Sequence, residues 1–227
     1  MTIIRVIDFE TTGLLPTSEV CEVGLCDFFL EDKKVGEPKS WLCKVKSMPP
    51  DARAIHHISF NDCNKYDIFN SNMLYDQEVR VIAAHNAAFE LQFFNPLLPI
   101  ICTYKSALRV WPNAPSHSNG VLRYWLEDQG LIYPKHDLTQ PAHRAGPDAY
   151  VTSYILMALF NSGVTGRSMV AWTKEPAFLP VCTIGKFKGK PWFEVDGGFL
   201  NWMVDNPSMD IDLKFNAERE IKRRMDS

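Results

Sequence analysis

The sequence lacks the features that mark membrane, secreted and nucleic-acid-coating proteins. No apolar run approaches the ~20 residues that a membrane span requires. The opening segment IIRVIDFE carries Arg5 and Asp8 where a signal peptide would be apolar, so no export signal is expected. The net charge is only -3, which argues against a polycation that coats nucleic acid. We therefore expect a cytoplasmic protein without a membrane partner.

The chain also has no CxxC pair. Its six cysteines are Cys21, Cys26, Cys43, Cys63, Cys102 and Cys182. They are dispersed, mostly in strand-like surroundings, and we expect free thiols in a reducing compartment rather than a disulfide framework or a zinc site. A zinc hydrolase is poorly supported, because no His/Cys cluster has ligand spacing.

What is present is an alternation of short apolar β-branched runs and segments of helical composition. Strands are predicted at 3–9, 20–30, 40–46, 78–86 and 98–103, and helical segments at 51–59, 87–95, 104–111, 118–129 and 148–161. Three strands followed by alternating strands and helices predict an α/β fold with a mixed sheet and helices on its faces.

The hydrophobic periodicity of the sequence weakens after Gly163. Residues 164–180 have weak periodicity and two prolines, and are predicted to link a first domain, 1–163, to a small C-terminal region, 181–227. That region has eight acidic and eight basic residues, so any basic patch in it is local.

The segment DFETTG places two carboxylates, Asp8 and Glu10, at the end of the first strand. Residues i and i+2 of a strand share a face, so the two side chains lie together. Like charges this close resist ionising unless a cation compensates. Alone, such a pair could equally be solvated at the strand end.

Further acids reach the same edge of the sheet by independent routes. Glu90 follows the strand that ends at Ala84, and Asp148 opens a long helix. His143 lies five residues before Asp148 and is expected on a loop, because Pro147 suits the first position of the helix. Taken singly, Asp148 could be a helix N-cap and His143 a surface histidine.

Together, these groups predict a metal-dependent phosphodiesterase. Four carboxylates can hold two hard cations, Mg²⁺ or Mn²⁺, through oxygen ligands. Two metals about 3.5–4 Å apart clamp the attacking and leaving oxygens of a phosphodiester. A histidine with a pKa near neutrality can take the proton of the attacking water.

The order of these segments resembles the three motifs of the DEDDh 3′→5′ exonuclease family. DFETTG matches the first motif, HNAAFE matches the second except that Glu90 stands where the family has Asp, and HRAGPD matches the third. AIHHIS resembles the family's Ile-His-Gly-Ile-Thr loop, with His57 at the usual glycine. The segments ICTYKSALRVWP, SNGVLRYW and TIGKFKGKPWFEV are similar to the exodeoxyribonuclease X group of this family, so the resemblance covers nearly the whole chain.

The resemblance implies an RNase H-like mixed β-sheet flanked by helices, with a small C-terminal appendage. It implies release of 5′-mononucleotides from DNA 3′ ends, with single strands preferred, some duplex degradation and a role in DNA repair. Asp8, Glu10 and Asp148 match the family's metal ligands, and His143 matches its general base. Glu90 holds the remaining acidic position, where the longer side chain could slow the chemistry or favour Mn²⁺.

Residues beside the motifs are candidates for substrate binding. Thr11, Thr12 and Leu14 could hold the terminal nucleotide by backbone amides and an apolar wedge, or form a plain turn. His56 could touch a phosphate or sugar, or be a buried structural histidine. Asn86 could contact the scissile nucleotide, or cap the helix that carries Glu90.

The segment GKFKGK carries lysines around one phenylalanine. Lys186, Phe187 and Lys188 could grip phosphates and stack a base. The alternative is a solvated hairpin in which Phe187 packs inward.

Two other functions remain open from the sequence. One is an RNA 3′-end trimming enzyme on the same fold, since discrimination of the 2′-OH depends on groove geometry. The other is a catalytically weakened subunit that binds 3′ ends, as in proofreading, and only Glu90 favours it. A homodimer is also left open.

Overall fold

The computed structural model describes residues 2–14 and 17–226. None of the helices in this part of the chain is long and apolar enough to cross a bilayer. The strands are β1 (Ile3–Thr11), β2 (Val20–Phe29), β3 (Lys34–Val35), β4 (Lys39–Leu42), β5 (Val79–Ala84) and β6 (Ile100–Cys102). The α-helices are α1 (Pro50–His56), α2 (Phe60–Cys63), α3 (Thr103–Val110), α4 (Asn119–Asp128), α5 (Ala145–Asn161), α6 (Gly166–Lys174), α7 (Gly197–Asp205) and α8 (Ile211–Met225).

The strands form one mixed sheet in the order β3-β2-β1-β5-β6, with β4 also paired to β2. The pairs β1–β2, β2–β3 and β2–β4 are antiparallel, and β1–β5 and β5–β6 are parallel. This is the mixed sheet with flanking helices that the sequence predicts.

The central strand β1 is buried on both faces, which explains its apolar run. Ile4 and Val6 pack into the core beneath α5, whereas Ile3 and Ile7 pack into a second core on the other face. Asp8 continues the face of Ile4 and Val6, because side chains alternate along a strand. The first acidic residue therefore lies on the side of the sheet that α5 covers.

A glycine allows α5 to approach the sheet at this point. Gly24 pairs with Asp8 across the β1–β2 ladder. A Cβ at Gly24 would overlap the carbonyl group of Ala145, the first residue of α5. The start of the helix is thereby held against the strand pair that carries the carboxylates.

Several predicted boundaries were wrong. Helix α5 begins at Ala145 rather than at 148, with Pro147 as its third residue instead of its first. The helix predicted at 87–95 is reduced to one 3₁₀ turn, Glu90–Gln92, which is followed by Pro96. The predicted strand at 40–46 is the shorter β4, and β3 was not predicted.

The C-terminal part of the chain is helical and has its own apolar cluster. Helix α6 lies within the predicted linker, where Thr165 caps its N-terminus by accepting a hydrogen bond from the Ser168 amide. Beyond it, Leu200, Met203 and Leu213 pack with Leu108 of α3. The division into two domains at 164–180 stays a prediction.

Candidate active site

Three carboxylates from two elements meet at the end of the sheet. Asp8 and Glu10 lie on β1, and Asp148 lies in the first turn of α5. One side-chain oxygen from each lies within 4.8 Å of the others. Among the described residues no other group of His, Cys, Asp and Glu meets this criterion, and all six cysteines are free and buried, as predicted.

The cluster is poorly compensated by positive charge. Burial, followed by the neighbouring Asp148, raises the pKa of Glu10 to about 8. Burial and the charges of Asp148, Glu90 and Glu10 raise the pKa of Asp8 well above its ordinary value. Burial raises the pKa of Asp148 to about 6, although His143 opposes the shift. These groups hold their charges at a cost that a cation would remove.

Glu90 completes the acidic surroundings without joining the triad. It is 2% exposed, and its Oε2 atom is buried without a hydrogen-bond partner. Burial, with a smaller contribution from the charge of Glu10, raises its pKa to about 8. An unpartnered buried carboxylate oxygen is costly, which indicates a missing partner such as a cation or its water.

His143 lies on a loop, as predicted, immediately before the N-cap of α5. Its backbone N–H donates to Asp148 Oδ2 at 3.0 Å, and its side chain is exposed. The N-cap of α5 is Arg144, so Asp148 is not the N-cap. The hydrogen bond ties the backbone of His143 to the carboxylate triad.

An ion pair that the sequence did not reveal fixes this loop. Arg144 donates to both oxygens of Glu22 on β2, at 2.7 and 2.8 Å, and the Ala145 amide donates to Glu22 Oε2 at 3.0 Å. Glu22 is 1% exposed and stands directly opposite Glu10 in the strand register. Arg144 therefore neutralises another carboxylate beside the cluster and ties the His143 loop to the sheet. Local sequence spacing does not reveal this pair, because Arg144 and Glu22 are 122 residues apart.

Two pockets flank the cluster. The first, which we call the Leu14 pocket, has a volume of about 420 Å³ and is lined by residues that include Phe9, Glu10, Leu14, Ile55 and Phe89. The second, the His143 pocket, has a volume of about 460 Å³ and is lined by residues that include Asp8, Asn119, Tyr124, His143 and Asp148. A substrate could thus approach the carboxylates from both sides.

The residues that follow Glu10 form a turn at the edge of the Leu14 pocket. The Thr12 amide donates to the Glu19 carbonyl at 2.9 Å, and the Thr12 hydroxyl accepts from the Glu19 amide at 2.9 Å. The Thr11 hydroxyl donates to the Gly13 carbonyl at 2.8 Å. These contacts hold both threonines in the turn, and Thr11 also lines the Leu14 pocket together with Leu14, which is 80% exposed. A role of these residues in nucleotide binding stays a prediction.

His56 is buried and also lines the Leu14 pocket, so its contact with a phosphate or sugar stays a prediction. It is 2% exposed, and its Nδ1 accepts a hydrogen bond from the Ile58 amide at 3.0 Å. Burial lowers the pKa of His56, which favours the neutral ring. The next residue, His57, has a φ of 60°, the left-handed conformation that explains why a glycine is usual there.

Positive φ angles recur at the motif segments. Among the described non-glycine residues they occur at Lys33, His57, Asn86 and His143. Asn86 is exposed at the end of β5, and its carbonyl accepts from the Phe89 amide at 2.9 Å. Such conformations cost about 1–3 kcal/mol each and persist at sites where position matters.

The predicted C-terminal contact residues lie outside both pockets. Phe187 packs against Phe199 with ring centroids 5.2 Å apart, and the Lys186 Nζ lies 4.9 Å from the Phe187 centroid. Lys188 is exposed. Phe187 therefore packs partly inward, while both lysines remain at the surface.

Sequence comparison places this arrangement in a family. No family model matches the chain. The chain is 30% identical over 229 residues to Exodeoxyribonuclease 10 of Escherichia coli (strain K12), and the match covers 96% of this chain and 99% of that protein. The chain belongs to the exodeoxyribonuclease 10 family.

Solved structures agree with this assignment. An Exonuclease X in complex with 5′ overhanging duplex DNA superposes with a TM-score of 0.65 and 29% identity, covering 76% of this chain and 99% of that one. The nuclease domain of a 3′-exonuclease, a DEDDh family member bound to rAMP, has a TM-score of 0.53 at 12% identity, covering 71% of this chain and 92% of that one. The RNase H-like fold expected for an exodeoxyribonuclease 10 relative is thus confirmed.

Proposed function

We propose that this chain is a divalent-metal-dependent exonuclease that hydrolyses DNA from its 3′ end and releases 5′-mononucleotides. The observation that carries the proposal is the triad of Asp8, Glu10 and Asp148, whose oxygens converge within 4.8 Å beside an exposed His143. Membership of the exodeoxyribonuclease 10 family supports the choice of DNA.

The residues present fit divalent cations. The donors are hard carboxylate oxygens, which suit Mg²⁺ and Mn²⁺. Asp8, Glu10 and Asp148 would hold the metal, and the unpartnered Oε2 of Glu90 is available to help hold a second ion, directly or through water. When bound, the cations would supply positive charge to the attacking and leaving oxygens of an in-line displacement.

The chain's own residues position the strand and move the proton. The apolar side chains of Leu14, Ile55 and Phe89 line a pocket that suits the terminal nucleoside, and Leu14 and Ile55 are 80% and 54% exposed. His143 takes the proton of the attacking water at its ring, and the hydrogen bond from its backbone N–H to Asp148 holds the residue beside the carboxylates. The single-strand preference, a homodimer, a cytoplasmic location and a role in DNA repair stay predictions from the sequence.

The test is digestion of a 5′-labelled DNA oligonucleotide and a matched RNA by the purified protein in Mg²⁺, Mn²⁺ or EDTA. We expect a ladder that shortens from the 3′ end of DNA, requires metal and is absent for Asp8→Ala. A ladder only on RNA would favour the trimming enzyme. DNA binding without cleavage in either metal would contradict the proposal and favour an end-binding subunit.

A further inference from the structure

The C-terminal region carries a continuous row of aromatic rings at its surface. The centroids of Phe187 and Phe199 are 5.2 Å apart, and those of Phe199 and Trp202 are 5.1 Å apart. Trp202 is 49% exposed, and the two phenylalanines are half-buried. We call Phe187, Phe199 and Trp202 the aromatic row. The ring planes are tilted by 54° and 34°, and the exposed tryptophan at the end of the row offers an apolar face to a ligand.

A glycine joins this row to a turn that carries lysines. Gly185 has a φ of +59°, and a Cβ at this position would lie 2.9 Å from Phe199 Cζ. Because only glycine accepts both constraints, the turn lies directly against the Phe199 ring. Lys186, Phe187 and Lys188 follow at once, so the lysines and the rings share one surface.

The lysines of this turn are available to an anion. The Lys188 backbone N–H donates to the Gly185 carbonyl at 3.2 Å, whereas its exposed side chain has no hydrogen-bond or ion-pair partner among the described residues. Lys186 pairs with Asp196 at 3.3 Å, but the two side chains are 70% and 54% exposed. Exposed pairs of this kind contribute about 0–1 kcal/mol, so a phosphate could replace the carboxylate at small cost.

An exposed row of aromatic rings beside exposed lysines suits a single-stranded nucleic acid. Each base stacked on an aromatic ring contributes about 1–3 kcal/mol, and lysines bind the phosphates between bases. A duplex keeps its base faces within its own stack. An anionic membrane surface fits poorly, because Glu194 and Asp196 lie among the lysines and residues 181–227 have eight acids against eight bases.

We propose that the aromatic row, with Lys186 and Lys188, is a second binding surface for single-stranded DNA, separate from the acidic cluster. The inference rests on the proposed function, since the strand bound there is the substrate. The surface adds affinity for strands long enough to reach both sites and takes no part in the chemistry.

The experiment compares strand lengths with the full chain in EDTA. Fluorescence anisotropy measures binding of labelled oligo(dT) of about 4 and about 30 nucleotides to wild type, Trp202→Ala and Lys188→Ala. We expect Trp202→Ala to weaken binding of the long strand by about 10-fold and Lys188→Ala to lower its salt dependence, with the short strand unaffected. Trp202→Phe should retain affinity and Trp202→Leu should not, which separates stacking from apolar packing.

Tyr133→Ala is the matched control, because Tyr133 is an aromatic side chain that is 77% exposed and lies outside the row. Long-strand affinity within about 2-fold of wild type for Trp202→Ala, or equal weakening on both strands, would overturn the inference. Absence of metal-dependent hydrolysis with the length-dependent loss intact would reject the proposed function alone. Normal hydrolysis without the length-dependent loss would reject only the second surface.

Discussion

Glu90 in the acidic cluster and Glu220 on α8 are both buried, at 2% and 5% exposure, yet their surroundings are opposite. Burial, with the nearby charge of Glu10, raises the pKa of Glu90 to about 8. Hydrogen bonds from Arg223, followed by those from Arg224, lower the pKa of Glu220 to about 2. The C-terminal region satisfies its buried carboxylate with two arginines, whereas the carboxylates at the end of the sheet are only poorly compensated by Arg144 and His143. The difference indicates a structural ion pair in one region and a cation site in the other.

The largest effect is expected when the acidic cluster loses its first carboxylate. Asp8→Asn should lower the rate of DNA hydrolysis by about 10³-fold or more, because the triad loses a ligand and a charge. The same change should raise the Tm of the metal-free protein, because it removes a like charge from the cluster. Rate assays and calorimetry on one preparation check both effects. An Asp8→Asn variant that stays active, or that has a lower Tm than wild type in EDTA, would contradict the conclusion that the acidic cluster is a cation site.

A smaller loss is expected at the ion pair that ties the His143 loop to the sheet. Arg144→Gln should lower kcat by about 10²-fold with little change in KM, since about 1 Å of misplacement has that effect on a catalytic group. Arg144→Lys should recover part of the loss, because lysine keeps the charge but not the two-point contact. Steady-state kinetics with short DNA checks this. Equal kcat in wild type and Arg144→Gln would show that the Glu22 pair only supports the fold.

The pH dependence of stability tests the difference between the acidic cluster and the Glu220 ion pair. The pKa values of Glu10 and Glu90 are raised from 4.5 to about 8 on folding. A raised carboxyl pKa stabilises the fold below the unfolded value, and this contribution is lost as pH rises through the folded value. In EDTA the Tm should therefore fall between about pH 4.5 and 8, and Mn²⁺ should restore it most at the upper end. A Glu10→Gln variant whose Tm depends on pH as in wild type would show that the Glu10 carboxyl does not cause this dependence.

The smallest effect on activity is expected from the C-terminal ion pair. Glu220→Gln should lower the free energy of unfolding by about 1–3 kcal/mol, because Arg223 and Arg224 lose a charged acceptor. In a chain of this length that corresponds to a Tm lower by about 2–4 °C per kcal/mol. Hydrolysis of a short DNA strand should stay at the wild-type rate. A loss of rate comparable with that of Asp8→Asn would remove the distinction between the two regions.

The parts that could be predicted from the sequence rest on local patterns. Alternation along β1 places Asp8 and Glu10 on one face, and the acids after β5 and in the first turn of α5 reach the same edge. The start of α5 was missed by three residues because Pro147 was assigned to the first helical position, whereas it is the third residue of a first turn whose N–H groups need no intrahelical partner. The Arg144–Glu22 pair joins residues 122 apart, a separation that local spacing does not reveal.

The most direct test of the cation site is a calorimetric titration of the metal-free protein with Mn²⁺. The titration is carried out for wild type, Asp8→Asn and Glu220→Gln. We expect saturable binding to wild type and Glu220→Gln, and a large loss of affinity for Asp8→Asn. The absence of saturable Mn²⁺ binding to the wild-type protein, or equal binding to Asp8→Asn, would contradict the conclusion that the acidic cluster exists to hold metal.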